Sequence, residues 1–388
     1  MLNVVFRLLA NCERQPPLPC HTRPHALGPV AKKNYRHTRR NPVTKTQIRG
    51  FIHRNPFFSS MKTCLALTIL GAALLSVPNA FGQTPPPAAT SGVVGFSALS
   101  VPSGFAFVVP TLVNSSVFQG QAAISSDGLT ITPTTAPSWT VGAYNATSFA
   151  SPTPNYPKFY AEIVSGANEG LILDISSNSA TALTMVSAVT PAGLRGTTVQ
   201  IAIREHMTLN KIVQGATGLS GFSDSANVFN ANGSTSTRFY DGAGSWLAED
   251  FATPAGHTVI YPGTGFAFTA TTPVSFNFMG EVKPTKTKVT LYAASTNIVG
   301  ALNPASATPF YGNSISTSLA AYADGINNFS TDGQLTTVGT YFSDGSVMLD
   351  AGFSPLAPTA TDAMPLNRGV VVSVGTDTVW TVNSPLAP

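Results

Sequence analysis

The sequence predicts an all-β protein, and three observations carry the prediction. From Val93 onward apolar and polar residues alternate in short runs, Gly, Pro, Asn and Asp separate the runs, and helical periodicity is nearly missing. Val199-Gln200-Ile201-Ala202-Ile203 and Thr287-Lys288-Val289-Thr290-Leu291 each read as a strand. Phe266-Ala267-Phe268 and Val274-Ser275-Phe276-Asn277-Phe278 continue the pattern. Asp-Gly occurs five times, at Asp127, Asp241, Asp324, Asp332 and Asp344. Between strands such a pair suits a type I′ hairpin, whose two central residues need positive φ. The one helical candidate, His206 to Ile212, allows one or two turns after the strand at 199–203. Turns this frequent leave no room for helical crossovers, so the expected sheets are antiparallel and sandwich-like.

Charge divides the chain. Of its 21 Lys and Arg residues, 11 lie between Arg7 and Arg54, and all three cysteines (Cys12, Cys20, Cys64) precede Gly82. Met61-Lys62, the apolar run Cys64 to Val77 and Ala80-Phe81-Gly82 read as a secretory signal, with cleavage expected after Gly82. The run is shorter than the roughly 20 residues that cross a bilayer. No cysteine follows it, which speaks against a lipoprotein. Residues 1–60 are basic and aperiodic. Such a stretch could be an arm for nucleic acid or an anionic membrane, but a signal sequence belongs at a true N-terminus. Residues 1–60 are therefore not expected in the native product.

The exported part, 83–388, carries nine basic and sixteen acidic residues, a net charge of −7. It has no cysteine, so a permissive compartment would still give it no disulfide. A chain of this length buries roughly three quarters of its unfolded surface and can rely on core packing. Without a positive surplus, phosphate neutralisation is closed to it, and no nucleic-acid partner is expected. A surface of hydroxyls and amides with few charges resists association weakly. That suits a protein lying against envelope glycan or its own copies.

Residues 83–93 form a Pro-rich tether (Thr84-Pro85-Pro86-Pro87 onward), followed by a first β unit over 94–279 and a second over 280–388. The units look duplicated, with an insertion in the first around 125–215. Phe239-Tyr240-Asp241-Gly242, Trp246 and Pro262-Gly263-Thr264-Gly265-Phe266 are echoed by Tyr341-Phe342-Ser343-Asp344-Gly345, Val347 and Pro365 to Val370. Upstream, Ala98 to Gly120 lies ungapped on Thr290 to Gly312, with Leu99 on Leu291 and Phe118 on Phe310. A period this long is a domain-sized repeat and not a solenoid.

The signal, Phe159-Tyr160-Ala161-Glu162-Ile163-Val164-Ser165-Gly166 with Glu169-Gly170, the Trp246 turn and Pro262-Gly263-Thr264-Gly265-Phe266 together resemble a paralogous family of secreted all-β proteins first described from verrucomicrobial genomes. The resemblance spans most of residues 94–388. It implies export and β structure and brings no catalytic residues with it.

A nucleophile needs a base and an orienting acid, yet the exported part has two histidines, His206 and His257, and no Gly-x-Ser-x-Gly elbow. Both histidines read as structural. Zinc needs three or four closely placed ligands, and no metal or other cofactor is expected. Asn328 to Gly339 imitates a calcium loop but has Gly where the bidentate Glu belongs, so it reads as a polar turn. Glu162, Glu169, Asp174, Asp241, Glu249 and Asp250 are the candidates for a glycosidic carboxylate pair. Trp139, Tyr144, Tyr156, Tyr160, Tyr240 and Trp246 lie near turns where rings could stack on sugar. Proline and glycine break most runs below the 9–11 residues of a membrane strand, which speaks against an outer-membrane barrel.

The expectation is an exported, non-enzymatic β protein, structural or associating with glycan or envelope. It assigns no catalytic and no metal residue, and it offers Trp139, Tyr160, Tyr240, Asp241 and Trp246 as ligand-binding candidates. The alternative is a secreted glycan-active hydrolase that uses a carboxylate pair. Mass spectrometry of the native product checks the leader. It is expected to begin at Gln83, and any peptide from residues 1–60 contradicts this.

Overall fold

A computed structural model describes residues 92–146 and 156–386. The basic stretch, the leader and the tether up to Ser91 lie outside the described residues. Within them every strand pairing is antiparallel.

The first β unit opens with β1 (Val94–Val101) and β2 (Gly104–Val108). The chain then leaves it to form a closed barrel from β3 (Ser116–Ile124), β4 (Thr130–Pro133), β5 (Phe159–Ile163), β6 (Ile172–Asn178), β7 (Leu183–Met185) and β8 (Thr198–Glu205), in the order β3-β4-β7-β6-β5-β8. Inward-facing Ile124, Ile131, Ile163, Ile175, Leu183, Ile201 and Ile203 fill it, so it is a packed core and not a channel. The five residues of β5 are all buried, which period-two alternation alone does not produce. Phe159, Ala161 and Ile163 face the barrel core, while Tyr160 and Glu162 point outward into the junction with the first unit.

The first unit resumes with β9 (Met207–Thr208), the short helix α1 (Leu209–Val213), β10 (Ser225–Phe229), β11 (Thr235–Tyr240), β12 (Trp246–Leu247), β13 (Val259–Ile260), β14 (Phe266–Ala270) and β15 (Val274–Glu281). Thr208 caps the helix by accepting from Lys211 N. The main sheet runs β12-β11-β10-β14-β2, with β1 paired to β15 and β9 to β13. Leu99, Phe266, Phe268, Phe276 and Trp246 pack between these layers.

The second unit contains β16 (Thr287–Leu291), β17 (Asn297–Val299), β18 (Thr308–Pro309), β19 (Gly325–Phe329), β20 (Thr337–Ser343), β21 (Met348–Leu349), β22 (Ala363–Met364), β23 (Val370–Ser373) and β24 (Thr378–Val382). Its sheet runs β21-β20-β19-β23-β17, with β16 on β24 and β18 on β22. Element for element this is the order of the first unit. Local anchors match as well. Buried Asp224 accepts from Ser220 N at 2.8 Å and Thr271 N at 2.8 Å, and buried Asp324 accepts from Ala320 N at 2.7 Å and Gly375 N at 2.8 Å.

The two units meet through a reciprocal exchange. Gly265 N–H donates to Ile298 O at 3.0 Å, and Gly369 N–H donates to Phe107 O at 3.0 Å. Gly300 N–H reaches Gly263 O, and Val109 N–H reaches Asn367 O, both at 3.1 Å. A methyl group on Gly265 would overlap Val108 O, and one on Gly369 would overlap Ile298. Phe107, Val109, Ala267 and Ile298 seal the contact, with Phe229 and Phe329 packed on either side.

Sequence and structure differ at three points. Four of the Asp-Gly pairs do turn hairpins, with Gly128, Gly242, Gly333 and Gly345 at positive φ, but their aspartates keep negative φ. These are not type I′ turns. Each Asp accepts from the amide two residues on, as Asp127 does from Leu129 N at 2.9 Å and Asp344 from Ser346 N at 2.7 Å, so the side chain fixes the turn. Asp324 departs further, as the buried anchor before β19. The ungapped alignment places Leu99 and Leu291 in corresponding strands, but Phe118 sits in barrel strand β3 and Phe310 follows β18, so it breaks where the barrel begins. The barrel occupies 116–205 and not 125–215, and its closure is a third architectural element beside the two units.

Removing an anchor strands buried amides. Asp224→Ala and Asp324→Ala are each expected to destabilise the protein by about 2–3 kcal/mol in urea unfolding. No measurable loss in either variant would contradict the anchoring role of both aspartates, and a loss in only one would contradict their equivalence.

Candidate functional site

Non-glycine residues seldom adopt positive φ, and bulky ones least of all. Here two aromatic residues in each unit do so at corresponding places. Phe222 has φ 58° and Phe251 φ 56°, and Tyr322 has φ 58° and Phe353 φ 62°. Phe222 N–H donates to Tyr240 O at 2.6 Å, as Tyr322 N–H does to Ser343 O at 2.7 Å. Phe251 and Phe353 occupy the loops that follow β12 and β21, each closed by a bridge to a proline, Leu247 with Pro254 and Leu349 with Pro355. A third ring comes from the sheet. Phe239 of β11 lies 4.4 Å from Phe251, and Phe342 of β20 lies 4.9 Å from Phe353.

These rings do not serve the core. Phe222, Phe251, Tyr322 and Phe353 are 57%, 47%, 63% and 51% exposed. Each strained backbone costs about 1–3 kcal/mol, and an exposed ring recovers little of that. Such strain persists where surrounding contacts hold it, and here aspartates supply them. Asp250 accepts from Ala252 N at 3.0 Å, Thr253 N at 2.8 Å and the Thr253 hydroxyl at 2.5 Å. Asp350 accepts from Gly352 N and Ser354 N. The Thr253 hydroxyl, followed by the two amides, draws the Asp250 carboxyl down to about 2. The result is a pair of aromatic faces, each resting on acceptor-rich loops.

The sequence candidates are placed differently, and they do not form one site. Trp139 joins a ladder of rings on the barrel, 5.1 Å from Phe118 and 5.3 Å from Tyr144, which in turn lies 5.1 Å from Phe159. Tyr160 is buried against His206, 4.6 Å between rings. Tyr240 and Trp246 share a core contact at 5.8 Å, and Trp246 is fully enclosed with its indole N–H on Leu209 O. Asp241 ties the β11–β12 turn by accepting from Ala243 N and Ser245 N. Neither Tyr160 nor Trp246 offers a ring face to solvent, because each points into a packed layer. Sequence reasoning missed Phe222, Phe251, Tyr322 and Phe353. Their one signal is the parallel between Gly221-Phe222-Ser223-Asp224 and Ala321-Tyr322-Ala323-Asp324.

The acids considered for hydrolysis have structural partners. Glu162 is sealed between Arg204 Nε at 3.3 Å and Lys283 Nζ at 2.5 Å, and it also accepts from the Thr285 hydroxyl. Arg204 continues to Glu281 at 2.9 Å and to Asn114 O at 2.8 Å. This cluster fastens the barrel to the first unit and to the segment leading into the second. Deleting one partner of such a buried set costs about 3–5 kcal/mol. Asp174 accepts from the Tyr261 hydroxyl at 2.6 Å and lies 3.0 Å from His206 Nε2. Burial, then the Asp174 charge, pushes the Tyr261 phenol up. Glu169 accepts from Lys286 N, and Glu249 from Thr237 N. His257 is half-buried just before β13, and burial lowers its pKa. The described residues contain no group of three or more metal-ligating side chains. They also contain no helix long and apolar enough to cross a membrane. No family model, curated protein or solved structure matches the chain.

Acid titration tests the loop geometry. The folded pKa of Asp250 lies below its ordinary 3.8, so the stabilisation is complete above that value and is lost as pH falls through about 2. Carboxyl NMR is expected to show Asp250 titrating near 2, and a midpoint near 3.8 would mean that the Phe251 loop is not held as described.

Proposed function

We propose that this chain is an exported, non-enzymatic β protein, built from two copies of one ancestral unit, that attaches to neutral polysaccharide of the cell envelope or its surroundings. The observation that carries the reading is the recurrence of an exposed, strained aromatic face at the same place in both units. A ligand that repeats along its length suits a protein that repeats its contact site, and two modest contacts on one polymer multiply in affinity. Sugar rings present an apolar face to an aromatic ring and hydroxyls to neighbouring acceptors. Asp250 and Asp350 hold the loops that present Phe251 and Phe353 by accepting from Ala252 N and Gly352 N. The leader and the family resemblance support export, and the low charge of residues 83–388 supports contact with an uncharged polymer.

The hydrolase reading gains less from the geometry. Its best-placed acid, Glu162, is enclosed by two cations, and the others hold turns or the Tyr261 junction. These acids act as fasteners.

Co-sedimentation with insoluble neutral polysaccharide and with purified envelope tests the proposal. Phe251→Gly and Phe353→Gly put glycine where φ already favours it, so stability is expected to hold within about 1 kcal/mol. Each substitution is expected to weaken binding about tenfold, roughly 1.4 kcal/mol, and the double variant to abolish it. Retention of the double variant at the level of the unsubstituted chain, or release of soluble sugar by the purified protein, overturns the reading.

A further inference from the structure

The two units differ most where the barrel is inserted. In the first, the chain leaves β2, builds the barrel and returns to β9, and Arg204 docks the barrel on Glu281 at the end of β15. In the second, the connection from β17 to β18 covers only residues 300–307, and among the described residues no barrel stands beside the end of β24. A cleft of about 230 Å³ lies there. The segment leaving β17, the β18 turn and the end of β24 bound it, which are the counterparts of the three segments that carry the barrel in the first unit.

Its lining is uncharged and rich in groups that both donate and accept. Asn303, Asn313, Asn383 and Ser314 contribute amides and a hydroxyl, with Trp380 at the floor and the half-exposed Tyr311 at the rim. The Trp380 indole N–H is held by Ser314 Oγ at 3.3 Å. The Thr308 hydroxyl, in the same wall, is buried without a hydrogen-bond partner. That oxygen is covered by the protein itself, so the amides of the lining are the groups that face an incoming molecule. An ion entering this cleft would lose water and meet no counter-charge. A neutral polyhydroxyl ring would meet matched amides, hydroxyls and an aromatic wall.

We propose that this cleft is a binding site for a single neutral sugar residue, separate from the aromatic faces and independent of them. The site is small enough to select a chain end or a branch, so it adds a terminal-residue preference to whatever the faces hold.

NMR titration of the full chain with methyl glycosides of neutral hexoses and of N-acetylhexosamine tests this. At least one glycoside is expected to shift the Trp380 indole N–H and the Asn383 side-chain amide together. Asn383→Ala removes an exposed amide of the lining, so the fold is expected to persist while affinity, read at the Trp380 indole N–H, falls about tenfold. Phe251→Gly with Phe353→Gly is expected to leave these shifts intact, which separates failure of this site from failure of the faces. The proposal is overturned if no neutral glycoside moves these signals at the highest soluble concentration. It is equally overturned if glucuronate or glucosamine binds as well as the neutral sugars, or if Asn383→Ala binds like the unsubstituted chain.

Discussion

The two β units hold each other by exchanging backbone hydrogen bonds at positions where no side chain fits. Gly265 and Gly369 bring backbone against backbone, so Ile298 O and Phe107 O each receive an amide from the other unit. Phe107, Ile298, Phe229 and Phe329 then exclude water from that exchange. Asn367, buried at positive φ, adds a side-chain stitch by accepting from Thr111 Oγ1 and donating to Ser97 Oγ. The chain from Gln83 onward contains no cysteine, so this packed contact does what a covalent link would otherwise do. It also ties the two aromatic faces into one body.

The barrel is fastened by a different physical means. Two cations and two carboxylates meet in a dry junction where each charge has an opposite partner and further hydrogen bonds. Buried pairs of this kind add little net stability compared with an apolar core, but they penalise any arrangement that separates them. The cluster therefore fixes where the barrel sits. Apolar packing within each unit supplies the stability, and charge pairing at the junction supplies the orientation.

Much of the fold was legible because alternation is a local signal. The strands read from Val199, Phe266, Val274 and Thr287 all fall within described strands, and the short helix follows β8 as the pattern suggested. Barrel closure was not legible, because it depends on pairing β3 with β8 some eighty residues apart, and alternation says nothing about which edges meet. Ring direction was equally hidden. Tyr240 and Phe239 are adjacent, yet one packs on Trp246 and the other faces outward under Phe251. The aromatic faces escaped notice because the sequence signal for positive φ is glycine, and here the position holds Phe or Tyr.

The proposed attachment depends on whether the exposed rings touch sugar. Aromatic side-chain NMR of the full chain, titrated with a soluble neutral oligosaccharide, reads this directly. Phe222, Phe251, Tyr322 and Phe353 are predicted to shift together with a shared affinity, while the enclosed Trp246 ring stays still. Rings that remain unmoved while the chain still adheres to envelope through its barrel would contradict the account.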